Sequence, residues 1–145
     1  MSYHVWTISG YGISDERDDC TTTVERVEDL LATTSSLKKQ FHEFCGIDYS
    51  IDDIEEYEYE YSFGGMGIFG LLCDAINENE GIMFTACDDF EGIHYILYTP
   101  TYPWQMNIVE KNINEEVIES ILNKYTTILF GHPFKFDYYS CENGG

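Results

Sequence analysis

The apolar positions of the chain fall into two spacings, about two residues and about 3.6, and their alternation lays out a mixed α+β order. Tyr3 to Ile8 alternates loosely through Val, Trp, Thr and Ile and reads as a strand that Gly10 and Gly12 close. Thr22 and Glu25 fit a capping box ahead of Val24, Val27, Leu30, Leu31, Leu37, Phe41 and Phe44, a helical set that Thr33-Thr34-Ser35-Ser36 divides in two. Ser50 with Asp53 offers a second cap before a short helical turn. Tyr57, Tyr59, Tyr61 and Phe63 then alternate with Glu56, Glu58, Glu60 and Ser62, which predicts a strand with one aromatic and one acidic face.

Residues 67–79 read as a helix ending at Gly81, and Ile82–Cys87 and Ile93–Thr99 as a hairpin around 88–92 that Pro100 and Pro103 terminate. Asn114 caps a helix whose buried stripe is Val117, Ile118, Ile121, Leu122, Tyr125 and Leu129, with Gly131 and Pro133 as its stop. Phe134–Tyr139 is the last strand, and Glu142-Asn143-Gly144-Gly145 reads as a frayed tail. This order predicts one α+β domain over 1–145, with a mainly antiparallel sheet of about five strands and helices packed on one face.

Charge changes the picture most. The 145 residues carry 27 acids against 7 bases, a formal charge of -20, and hydrophobic residues still make up 43%, enough to build a core. Between Lys39 and Lys111 there is no Lys or Arg but fifteen Asp and Glu. Direct binding to a nucleic-acid backbone or an anionic membrane needs a basic face and is not expected. The first residues lack a basic and apolar leader pattern, no run approaches a membrane span, and the five widely spaced cysteines form no CxxC. The expectation is a cytoplasmic protein with reduced thiols.

Three constellations carry candidate chemistry. Gly65, Gly67 and Gly70 match G-x-G-x-x-G between a predicted strand and a predicted helix, with Asp88 and Asp89 about twenty residues on. That is the alternative reading, a small nucleotide-binding domain or enzyme. Against it, EYEYEY lacks the apolar character of a central parallel strand, and no base near the turn offsets a diphosphate. Cys87, Asp88, Asp89, Glu91 and His94 hold donor types for a divalent cation but not the order of a calcium loop. His42 and Cys45 share a helix whose Phe41 and Phe44 mark a packed face, so a buried thiol is favoured there over a nucleophile. No catalytic residue, cofactor or metal is assigned.

The densest acidic run is Asp48, Asp52, Asp53, Glu55, Glu56, Glu58 and Glu60, with Tyr57 and Tyr59 as candidate anchors and Tyr49 and Tyr61 beside them. On a strand, same-face acids recur at about 6.5–7 Å, near the phosphate spacing of one DNA strand. In size, charge and this run, the chain resembles the small acidic inhibitors of phages and mobile elements, of the DNA-mimic or anti-CRISPR type. The resemblance implies a non-enzymatic protein-binding module. Its partner would be a protein with a basic nucleic-acid-binding surface, such as a host defence nuclease guided by RNA. It transfers no individual residue.

Overall fold

The computed structural model describes residues 5–16, 20–61, 66–99 and 113–144, and nine elements follow one another among these residues. They are β1 (Val5–Ser14), α1 (Val24–Leu31), α2 (Ser35–Cys45), α3 (Asp53–Tyr61), α4 (Gly67–Glu80), β2 (Thr85–Asp88), β3 (His94–Tyr98), α5 (Glu115–Phe130) and β4 (Asp137–Gly144). The strands form a four-stranded sheet in the order β2-β3-β1-β4, and every pairing is antiparallel. The five helices pack against it, so the chain is a single α+β domain.

The main core is built from α1–α5 and the sheet face carrying Ile13, Ile96 and Tyr98. Two helix signals act as the spacing predicts. Asn114 Oδ1 accepts from Val117 N at 2.9 Å, and Gly131 is the C-cap of α5. The stripe of α5 is rotated slightly from expectation. Ile118, Leu122, Tyr125 and Leu129 are buried along with Thr126 and Phe130, while Val117 and Ile121 are only half-buried. At α1 the cap moves by one residue. Thr23 accepts from Arg26 N, and Thr22 instead donates its hydroxyl to the Leu129 carbonyl in the last turn of α5. Asn77 on α4 holds the approach to β2 by exchanging two 2.8 Å hydrogen bonds with the main chain of Phe84.

The strand predicted over 57–63 is a helix through Tyr61; the rest of that segment, 62–65, lies outside the described residues. The alternating tyrosines conceal a second period. Ile54, Tyr57, Glu58 and Tyr61 stand at i, i+3, i+4 and i+7, the spacing of one helix face. Ser50 N donates to Asp53 Oδ2 at 2.8 Å, half of a capping box, and Asp53, Glu55 and Glu56 crowd the first turn, where the helix dipole favours anions. Losing this strand reduces the sheet from about five strands to four.

Two other boundaries move outward. β1 does not stop at Gly10 and Gly12 but runs through them to Ser14, while Tyr3 and His4 lie outside the described residues. A Cβ at Gly10 would overlap the Tyr98 carbonyl, and one at Gly12 the Ile96 carbonyl, so these glycines admit the close approach of β3. β4 likewise begins at Asp137 and continues to Gly144. Glu142, Asn143 and Gly144 pair with Thr7, Trp6 and Val5 instead of fraying. Phe134 and Phe136 precede the strand and pack against the main core.

The sheet also folds over on itself. Asn143 lies opposite Trp6, whereas Asp88 pairs with His94 beside the far end of β1, where Ser14 meets Tyr95. A straight strand would separate positions 6 and 14 by about 26 Å. Yet Asn143 Nδ2 donates to the Asp88 carbonyl at 2.8 Å, so the sheet curves enough to bring β2 and β4 together. The fold encloses a second small core of Cys87, Tyr95, Leu97 and Cys141, with Ile8, Ile93 and Tyr139 packed against it. Cys73 is buried too, in the main core, where Cys20 and Cys45 pack half-buried.

Candidate protein-interaction surface

Because 53–61 is a helix, the acidic run is sorted by a period of 3.6. Asp52, Glu55, Glu56, Tyr59 and Glu60 occupy one exposed face, on which Tyr59 is 78% exposed. Glu58 and Tyr57 fall on the opposite face and are buried, Glu58 completely. Asp53 is half-buried and spent on its cap, and Asp48 lies exposed in the loop ahead of the helix. At about 1.5 Å rise per residue, the acids span two turns as a compact patch and do not form a linear row at phosphate spacing. Of the candidate partner-binding residues, Asp52, Glu55, Glu56, Glu60 and Tyr59 are brought together. Glu58 and Tyr57 are withdrawn from the surface.

The withdrawn pair belongs to the packing of α3 on α2 and α4. Tyr57 accepts from Gln40 Nε2 at 3.0 Å, and burial pushes its hydroxyl up to about 12. Tyr49 is buried as well, edge-on to Phe41 with ring centres 4.8 Å apart. Glu58 points at α4. Neither of its carboxyl oxygens makes a hydrogen bond in good geometry, and burial together with the charge of Asp74 pushes the group up to about 9. The protein packed around Asp74 raises that carboxyl too. Nothing in the spacing of the acids marks Glu58 as buried except its place in the set 54, 57, 58 and 61. Asp74 gives no such signal, because its partner lies on another helix.

The glycine turn is set differently from a dinucleotide fingerprint. The described element before it is helix α3, not a strand, and the sheet is antiparallel throughout. Gly65 lies outside the described residues. Gly67 starts α4 with φ +56°, a conformation that suits glycine. Gly70 is buried where α4 meets Glu58.

The acids of the β2–β3 hairpin are engaged in holding its turn. Asp89 Oδ1 accepts from Glu91 N at 2.9 Å and Ile93 N at 3.0 Å, while Oδ2 accepts from the Tyr95 hydroxyl at 2.9 Å. Partial burial opposes ionisation of Asp89, but these donors prevail and hold it below the usual carboxylate value. His94 turns away to Asp15, a partner 79 positions distant. Its main-chain N–H donates to Asp15 Oδ1 at 2.7 Å, and its Nδ1 stands 3.1 Å from Oδ2. That hydrogen bond raises the imidazole above its ordinary value against the effect of burial. Cys87 points into the second core. No group of three or more His, Cys, Asp or Glu side chains stands in metal-binding proximity among the described residues.

Among those residues, no helix is long and apolar enough to cross a membrane. Comparison with known proteins returns no relative: no family model matches the chain, and neither a curated protein nor a solved structure matches it.

Proposed function

We propose that the chain is a non-enzymatic, cytoplasmic protein-binding module that occupies a basic, nucleic-acid-binding site on a partner protein. In this reading it inhibits a host defence nuclease, in the manner of anti-CRISPR proteins. The observation that carries the reading is the exposed face at α3, where Asp52, Glu55, Glu56 and Glu60 lie exposed alongside the exposed Tyr59. A patch of like charge steers encounter with a basic surface, and an exposed aromatic beside it supplies apolar contact area once the surfaces meet. Mimicry in this form matches the charge density of a backbone, not its linear repeat.

The test is capture of binding proteins from host lysate on the intact protein and on a variant with Glu55, Glu56 and Glu60 changed to lysine. The reading expects a partner that nucleic acid displaces, that added salt weakens and that the variant fails to hold. A partner with no basic surface, or one held equally by the variant, overturns it.

A further inference from the structure

Beside the acidic face, α2, α3 and α4 leave an open groove of about 410 Å³ whose walls include Gln40, Tyr57, Tyr61, Asp74, Glu78 and Met83. Its aromatic side is ordered. Tyr61 stacks tilted on Tyr57 with ring centres 5.0 Å apart and meets Phe44 edge-on at 5.4 Å. Tyr61 nevertheless remains 54% exposed and Met83 68% exposed. The opposite wall presents Asp74 and Glu78, one turn apart on α4, and no ion pair neutralises either among the described residues. Behind Asp74 lies the fully buried Glu58, whose carboxyl faces that of Asp74 and no cation.

We propose that this groove seats an arginine side chain of the partner protein, its guanidinium lying on Tyr61 and forking to the carboxylates of Asp74 and Glu78. The inference rests on the reading of the chain as an acidic module for a basic surface, and adds the anchor that surface must supply. Arginine fits better than lysine because a planar guanidinium stacks on an aromatic ring and offers paired donors to carboxylates. An apolar anchor is disfavoured, since it would leave the carboxylates of one wall covered without a counter-charge. A bound cation would also offset the charge that Asp74 imposes on Glu58, a relief no side chain on the groove walls provides.

The experiment is an NMR titration of the intact protein with acetyl-Gly-Arg-Gly-amide, and with the same peptide carrying lysine or citrulline. Shifts should concentrate on Gln40, Tyr61, Asp74, Glu78 and Met83, with arginine bound most tightly and citrulline not bound. Asp74→Asn, which spares Glu58 a charged neighbour and so should fold, is expected to weaken arginine binding by roughly threefold to tenfold, as is Tyr61→Ala. Shifts spread evenly over the acidic surface, equal binding of arginine and lysine, or indifference to Asp74→Asn would overturn the proposal. A captured partner provides the separating measurement. Loss on reversing Glu55, Glu56 and Glu60 with no loss in Asp74→Asn or Tyr61→Ala removes the groove anchor alone, whereas indifference to all of them removes the module reading as well.

Discussion

Gly70 on α4 faces Glu58 on α3 so closely that a Cβ there would lie 2.6 Å from Oε1 of the carboxyl and 3.1 Å from the Met66 Cβ. Glu58 is fully buried, so its carboxyl can give way only by displacing its packed neighbours. The glycine is therefore a matter of volume, and Gly70→Ala should destabilise the domain by about 1–3 kcal/mol, the usual cost of overpacking. Urea unfolding midpoints check this. Combining it with Glu58→Ala should cost less than the sum of the two single losses, because the second change clears the space the first invades. Strict additivity would show that the two side chains do not meet.

Glu58 also sets an unusual pH dependence. Its carboxyl is held up at about 9 by burial and by Asp74, against 4.5 as an ordinary glutamate. Between those values the folded protein binds a proton that the unfolded chain releases, so stability falls as pH rises from about 4.5 to about 9. Each pH unit in that window is worth up to about 1.4 kcal/mol. Glu58→Gln, which keeps the shape without the charge, should flatten the decline and raise the unfolding midpoint at pH 8. An unchanged slope would mean that Glu58 is ionised in the folded state.

His94 responds to pH through another contact. Asp15 raises its imidazole above 6.5, so this contribution to stability is complete below pH 6.5 and is lost as pH rises through the folded value. Asp15→Asn should move the His94 titration, followed by its ring proton shifts in NMR, down to 6.5 or below, because burial then acts without its counterweight. A titration left in place would assign the shift to Asp88 or Glu55 instead.

The sequence and the structure agree where a single element supplies its own evidence. Helix α5 carries its cap, its stripe and its stop within twenty residues, and α4 and the β2–β3 hairpin are similarly self-contained. They part where local spacing is degenerate. In 53–61, Glu and Tyr satisfy a period of two and a period of 3.6 at once, and the choice falls to the Asp53 cap and to the packing of Tyr57 on Phe41, with ring centres 5.0 Å apart. Gly10 and Gly12 break a strand by propensity but are required by the carbonyls of β3, which no local pattern announces. For the same reason the acidic character of the 48–60 run was legible, while its division into an exposed face and a buried glutamate was not. Asp15 with His94, and Asp74 with Glu58, become partners only through tertiary packing.

Glu60 separates what helps α3 fold from what the proposed interface requires. It stands in the last turn, where the helix dipole disfavours an anion, one turn beyond Glu56, and α3 has no basic residue there to offset either repulsion. A lysine at this position would reverse both effects, pairing with Glu56 in the favourable i, i+4 order. Glu60→Lys should therefore stabilise the isolated domain by about 0.3–1 kcal/mol in chemical unfolding, with the gain shrinking as salt is added. The same change places a cation at the edge of the face around Tyr59, so the association rate with a captured basic partner should fall while its salt dependence becomes shallower. Greater stability with weaker binding is the pattern expected of an acid retained for recognition at the expense of its helix. A Glu60→Lys variant that is both more stable and an equally fast binder would place the interface elsewhere on the molecule.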